Sequence, residues 1–201
     1  MERRNFAKNL GLGLIASTAT FAKPKTISEV DDNINHLGPK KGYTPQIGAL
    51  VSMLDWVSDT VIKYNKNISI EELDYIHDAD SNSIGSLIMH VAATKVIYQD
   101  ITFHNLDDFS PENKKKWNLG MDLGEDARKN LIGNPLSYYK DAIAEARAET
   151  KIQMKKKDDE WLLGGQTEKW DWNNYCKWFH VVEHYANHRG QMTWYKKRIK
   201  K

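Results

Sequence analysis

Apolar residues in this chain recur mainly at three- and four-residue steps. Ile47, Leu50, Val51, Leu54, Val57, Val61 and Ile62 form the first such series. That spacing puts them on one face of a helix. Thr44-Pro45 stands at its head, with proline at the first helical position, where its missing N–H costs nothing. A helix is predicted from there to about Tyr64. Ser69 followed by Glu72 is a capping-box pattern and opens a short helix through Tyr75. Asp80-Ser81-Asn82-Ser83 is a second cap-rich start. Behind it Ile84, Leu87, Ile88, Val91, Ile97, Tyr98 and Ile101 mark a long helix to about Phe103. Asn134-Pro135 starts a third long helix, with Leu136, Tyr139, Ile143, Ala146, Thr150 and Met154 as its stripe and Lys155 to Asp158 as its end. The last helix is predicted over about Asn173 to Arg198.

Between these segments the pattern breaks. Residues 23–43 hold Pro24, Gly38, Pro39 and Gly42 among polar residues and read as an irregular lead-in. Residues 104–133 carry Pro111, Gly120, Gly124 and Gly133, and one or two short helical turns are expected there. A connection bearing Trp161, Trp170 and Trp172 precedes the last helix; these rings either cover a site or pin the connection to the helices. No turn-bounded alternation of β-branched residues predicts a strand. Four long helices of about 20 residues make an all-α four-helix bundle over residues 44–201.

Composition narrows the class. The 201 residues are 40% hydrophobic and 28% charged, ordinary for a globular chain. A single cysteine, Cys176, excludes an internal disulfide and any multi-cysteine metal site; it is expected to pack as a small apolar residue. No apolar run reaches the ~18–20 residues of a membrane span.

The net charge of +2 is informative through its location. The chain opens MERRNFAKNLGLGLIASTATFA, and its Arg-Arg-x-Phe-x-Lys stretch, short apolar run and small residue at Ala22 resemble a twin-arginine export signal over residues 1–22. Arg3, Arg4 and Lys8 outnumber Glu2 by two, so the whole excess sits in that segment and residues 23–201 are formally neutral. An exported, periplasmic protein without a stable membrane anchor is expected. Short basic runs at Lys114–Lys116 and Lys155–Lys157 read as solvated helix ends, and no nucleic-acid partner is expected. A homodimer through helix faces is expected to be possible.

Histidine carries the candidate chemistry. His180, His184 and His188 follow one another at four-residue steps, so they share one helical face. Neutral imidazole is a common ligand for divalent transition metals. His184 and His188 can address one ion, and a third ligand must come from another helix. His90, mid-way along the second long helix, is the best candidate. Three protein ligands with open positions are the arrangement of a catalytic, not a structural, site. His184 is followed by Tyr185, so the HExxH zinc-protease motif is absent.

SLIMHVAATKVIYQ (residues 86–99) and WFHVVEHYANHRGQM (residues 178–192) resemble the two signature regions of the DinB/YfiT-like superfamily. GYTPQIGALVSMLDW (residues 42–56) and NPLSYY (residues 134–139) are similar to its Bacteroidetes-type members. The resemblance covers most of residues 36–201. It implies a four-helix bundle of the DinB/YfiT-like type and a divalent metal ion (zinc, nickel, iron or manganese) held by one histidine of the second long helix and two of the last: His90, His184 and His188. Lys95 departs from several relatives, which carry an acidic residue there. His180, Glu183 and Gln191 are the nearby side chains that could orient the ligands or move protons, with Asn187 a further choice. Arg189 is expected to pair with an acidic residue of another helix, and Gly190 to admit a close helix approach.

The resemblance implies metal-dependent hydrolysis or thiol transfer to an electrophile. Small thiol cosubstrates are mainly cytosolic, so export places a metal-dependent hydrolase first and a metal-dependent thiol S-transferase second. A non-catalytic metal binder is the third reading, favoured by the lack of a clear acid/base carboxylate beside the ligands.

Overall fold

A computed structural model describes residues 31–199. The export signal expected over residues 1–22 lies outside them. The described chain is built of α1 (Pro45–Tyr64), α2 (Ile70–Leu73), α3 (Ile84–Phe103), α4 (Pro111–Asp122), α5 (Gly124–Asn130), α6 (Leu136–Met154), a 3₁₀ turn (Trp161–Leu163) and α7 (Asn174–Lys196). Among the described residues there is no strand, only an isolated bridge between Thr167 and Trp170. No described helix is long and apolar enough to cross a membrane.

The caps follow the local sequence. Ser69 and Glu72 form the reciprocal capping box of α2, which ends at Leu73, two residues short of Tyr75. Ser83 accepts from the Ser86 amide at 3.0 Å, and Asn173 from the Cys176 amide at 2.8 Å, opening α3 and α7. The start of α1 is different. The Thr44 hydroxyl makes no cap of its own; it donates to Asp159 Oδ1 at 2.5 Å. That same oxygen accepts from the amides of Gln46 and Ile47 at 3.0 and 3.1 Å. A carboxylate from beyond α6 thus satisfies donors left open by the first turn and suits its positive end.

Residues 104–133 hold more helix than expected. Ser110 caps α4 through the Asn113 amide at 3.3 Å, and Pro111 occupies the first helical position. Trp117, 2% exposed, anchors α4 in the core. Gly120 stays inside the helix, and the break falls at Leu123, whose φ of 55° separates α4 from α5.

In the bundle, α3 packs on α6 and α7, α1 packs on α7 and α6, and α4 covers a further side of α3. Enclosed by these neighbours, α3 is buried on almost every face, polar residues included. Those polar groups find partners. Gln99 donates to Ala146 O and Thr150 Oγ1 on α6, at 2.7 and 2.8 Å. Thr102 Oγ1 accepts from the Trp178 indole on α7 at 3.1 Å. Lys95, fully buried, donates to Ser58 Oγ at 2.8 Å and lies over the Tyr185 ring. Burial pushes the Lys95 ammonium down to about 7, with the nearby Arg147 charge adding to the effect.

Three expectations for α7 are corrected. Cys176 is exposed, because its position turns away from the helices that α7 packs on. Arg189 meets no acid among the described residues: it donates to Thr60 Oγ1 at 2.8 Å, with its guanidinium over Trp56 and Tyr64. Aromatic faces with a hydroxyl acceptor serve that cation instead. Gly190 has nothing among the described residues within 4 Å of where a Cβ would stand, so no described helix approaches it.

Candidate metal centre

α3 and α7 bring His90, His184 and His188 together, with ligand atoms all within 4.8 Å of one another. His90 is mid-way along α3 and 8% exposed; His184 and His188 sit one turn apart on α7 and are half-buried. His184 Nε2 stands 2.9 Å from His90 Nε2 and 3.1 Å from His188 Nε2.

The outer ring nitrogens decide what those three inner atoms are. His90 Nδ1 lies 3.1 Å from two backbone carbonyls, Gly120 O and Met121 O, at the end of α4. Carbonyls only accept, so Nδ1 carries the proton, and Nε2 of a neutral ring presents a lone pair. His188 Nδ1 lies 3.0 Å from Gln191 Oε1. With the amide oxygen facing it, His188 is fixed in the same tautomer. Two lone pairs therefore converge on His184 Nε2, which can carry at most one proton to share between them. Such a donor set is incompletely satisfied on its own and fits a cation at its centre. Hydrogen bonds from the outer nitrogens to a carbonyl or amide oxygen are the usual support for metal-binding imidazoles.

Protonation is disfavoured. Burial, then the neighbouring His188, pushes His90 down to about 4. Burial, followed by His188, His90 and His180, pushes His184 down to about 3. Burial also lowers His188, against the opposing effect of its hydrogen bond to Gln191. Near neutral pH all three rings are neutral, the state in which imidazole binds metal.

The other expected site residues separate. Gln191 holds His188. His180 and Glu183 pair with each other, Nδ1 to Oε1 at 3.1 Å, and reach no nitrogen of the three rings. The His180 ring lies 5.2 Å from His184, and 5.6 and 5.8 Å from Trp172 and Tyr98, centroid to centroid. Trp170 packs on Tyr98 and Trp172. The rings of Tyr98 and Trp172 gather around His180, one turn from His184. Trp161 instead stacks on Phe103 and pins the connection. Gln191 and Asn187 line a cavity of about 660 Å³ shared with Asp80, Asn82 and Trp194.

The supporting carbonyls of α4 have no side-chain signature and were not among the expected site residues. The one trace in the sequence is Gly120. A Cβ there would stand 2.5 Å from Met89 Cγ and 3.3 Å from Met89 O. Its absence lets the last turn of α4 come close enough to α3 for residues 120 and 121 to reach His90.

The sequence model of the family described as mycothiol-S-transferase matches residues 49–200. No curated protein matches this chain by sequence. Two solved structures share its fold: an uncharacterized protein from Clostridium difficile 630, 16% identical with a TM-score of 0.57 over 77% of this chain and 97% of that one, and a Streptococcus pneumoniae protein, 18% identical with a TM-score of 0.57 over 77% and 92%. At those identities the likeness concerns the DinB-like fold alone.

Proposed function

The chain belongs to the mycothiol-S-transferase family, and on that premise we propose that it is a divalent-metal-dependent thiol S-transferase in which His90, His184 and His188 hold the ion. One observation carries the reading: three imidazole nitrogens converge with two lone pairs facing inward and no counter-donor sufficient for both. A divalent cation held by His90, His184 and His188 would supply a Lewis acid that lowers the pKa of a thiol, whose proton would pass to solvent near neutral pH. The chain's own residues do the rest. Gly120 O and Met121 O orient His90, and Gln191 orients His188. Burial keeps the rings neutral. The cavity beside Gln191 gives a cosubstrate room to approach. Transfer from a thiol needs no separate carboxylate base, and none is bonded to the three rings among the described residues.

Metal-dependent hydrolysis is the second reading, and the His180–Glu183 pair favours it. His180 stands one turn before His184 and Glu183 directly before it, and the pair could take a proton from a water molecule. Export would be a property of residues 1–22, whereas the family match and the histidine cluster concern the bundle itself.

Elemental analysis of purified protein, followed by a panel of electrophile–thiol pairs, esters, amides and lactones, tests the reading. About one divalent ion per chain and thiol-dependent consumption of an electrophile are expected. His90→Ala and His184→Ala should each lose the ion while keeping helical content by circular dichroism. Full metal occupancy in both variants would sink the three-histidine site. A metal-replete protein that turns over esters but ignores thiols would establish hydrolysis, and one that turns over nothing would leave the metal binder.

A further inference from the structure

A second cavity lies away from the histidines, between α1 and α6, with a volume of about 340 Å³. Its apolar surface comes from Ile62, Ile143, Ala144 and Ala148, and its polar edge from Ser58, Lys140, Arg147 and Lys151. Its one acid, Asp59, is engaged by Lys63 at 2.8 Å.

The basic side is built from beneath. Asp55, 3% exposed, lies under it with both oxygens in use: Oδ1 accepts from Arg147 Nε at 2.6 Å and Oδ2 from Lys151 Nζ at 3.2 Å. Only Nε of Arg147 is spent this way. Its two terminal amino groups have no acceptor among the described residues, and neither has Lys140. Behind them lies the fully buried Lys95, whose hydrogen-bond acceptor among the described residues is the neutral Ser58 hydroxyl. Arg147 and Lys151 thus share the single carboxylate of Asp55. A guanidinium fixed through Nε cannot swing away, and its remaining fork matches a carboxylate or phosphate head. Holding it in place before binding removes part of the ordering cost of a complex.

We infer that this groove binds a small amphipathic organic anion. Its carboxylate or phosphate head would sit on Arg147 and Lys140, and its short apolar body on Ile62, Ile143 and Ala144. The site is independent of the proposed thiol transfer. Its volume falls at the lower end of small-molecule pockets.

Calorimetric titration of the metal-loaded full chain with octanoate, octyl phosphate and octanol tests it. One equivalent of octanoate or octyl phosphate should bind, at least about tenfold more tightly than octanol, the margin expected of a charge-assisted head-group contact; the tighter anion identifies the preferred head. Lys140→Glu is exposed and unpaired, so it leaves the buried Asp55 contacts intact. It should weaken both anions about fivefold or more and spare octanol, a loss on the scale of one charged contact. Ala144→Trp fills the groove and should abolish binding of all three. Octanol binding as well as the anions, or anions binding Ala144→Trp unchanged, would overturn the inference. So would anion binding that disappears in His184→Ala with the groove intact, because the head would then be sitting at the histidine cluster.

Discussion

Gly120→Ala separates the support of the histidine centre from its ligands. The methyl group would enter where Met89 Cγ stands at 2.5 Å and Met89 O at 3.3 Å. Cγ stands close to the root of the Met89 side chain, so either that side chain or α4 must move, whereas the carbonyl of α3 needs to give by only a few tenths of an ångström. Two effects compete for stability. Alanine in place of glycine within a helix contributes up to about 1 kcal/mol. Overpacking of a tight contact costs about 1–3 kcal/mol. The balance is a loss of about 0–2 kcal/mol, which leaves the bundle folded. The effect on metal is larger, because α4 must withdraw the two carbonyls that hold His90 Nδ1 at 3.1 Å. Loss of such support weakens a metal site about 10–100-fold. The assay is competition for zinc against a chromophoric chelator, with thermal melting followed by circular dichroism in parallel. Adding Met89→Ala to Gly120→Ala removes the closest clashing atom and should restore most of the affinity; Met89→Ala alone serves as the control for its own packing loss. Zinc affinity within about twofold of wild type in folded Gly120→Ala would show that the carbonyls of α4 do not set the ligand. A double variant as weak as the single one would refute the steric route.

Other predictions concern charge and capping. In metal-free protein, His90 and His184 titrate near 4 and 3 when folded and near 6.5 when unfolded. The unfolded chain therefore binds more protons over that interval, and stability, full above pH 6.5, should fall as pH drops from there toward 4; a flat urea-midpoint profile in this window would contradict it, and zinc should resist the onset. Lys95 titrates near 7 folded against 10.5 unfolded, so stability should rise between pH 7 and 10. Lys95→Met should remove that rise and be neutral or stabilising by about 1–3 kcal/mol at pH 7, read from denaturant midpoints at both pH values. Asp159→Ala should cost about 0.5–2 kcal/mol by uncapping α1, with hydrogen exchange accelerated at Gln46 and Ile47; unchanged protection there would mean that the cap is dispensable.

The limits of the four long helices were legible in the sequence because their determinants are local. A stripe at helical spacing, a proline at the first position and a serine or asparagine cap act within a few residues, and Ser69, Ser83 and Asn173 cap where the pattern places them. The pairing of His184 with His188 was legible for the same reason. Helix α4 shows where local reading falls short: Pro111, Gly120 and Gly124 look like interruptions, yet Trp117 gains a buried place on α3 and the helix continues through Gly120. The third histidine of the cluster lies 94 residues from His184, so no spacing linked the two; His90 was singled out by its place mid-way along the second long helix and by kinship of sequence.

Tertiary structure alone decided the rest. Backbone carbonyls have no identity in sequence, so the support of His90 by residues 120 and 121 exists only once α4 lies against α3. Asp159 became a cap for α1, Arg189 found aromatic faces instead of an acid, and Lys95 was buried, each through a helix distant in sequence. Sequence determined which segments become helices and which residue types could bind metal. Packing determined which lone pairs face each other, because a tautomer is set by the partner that the fold brings to the other nitrogen.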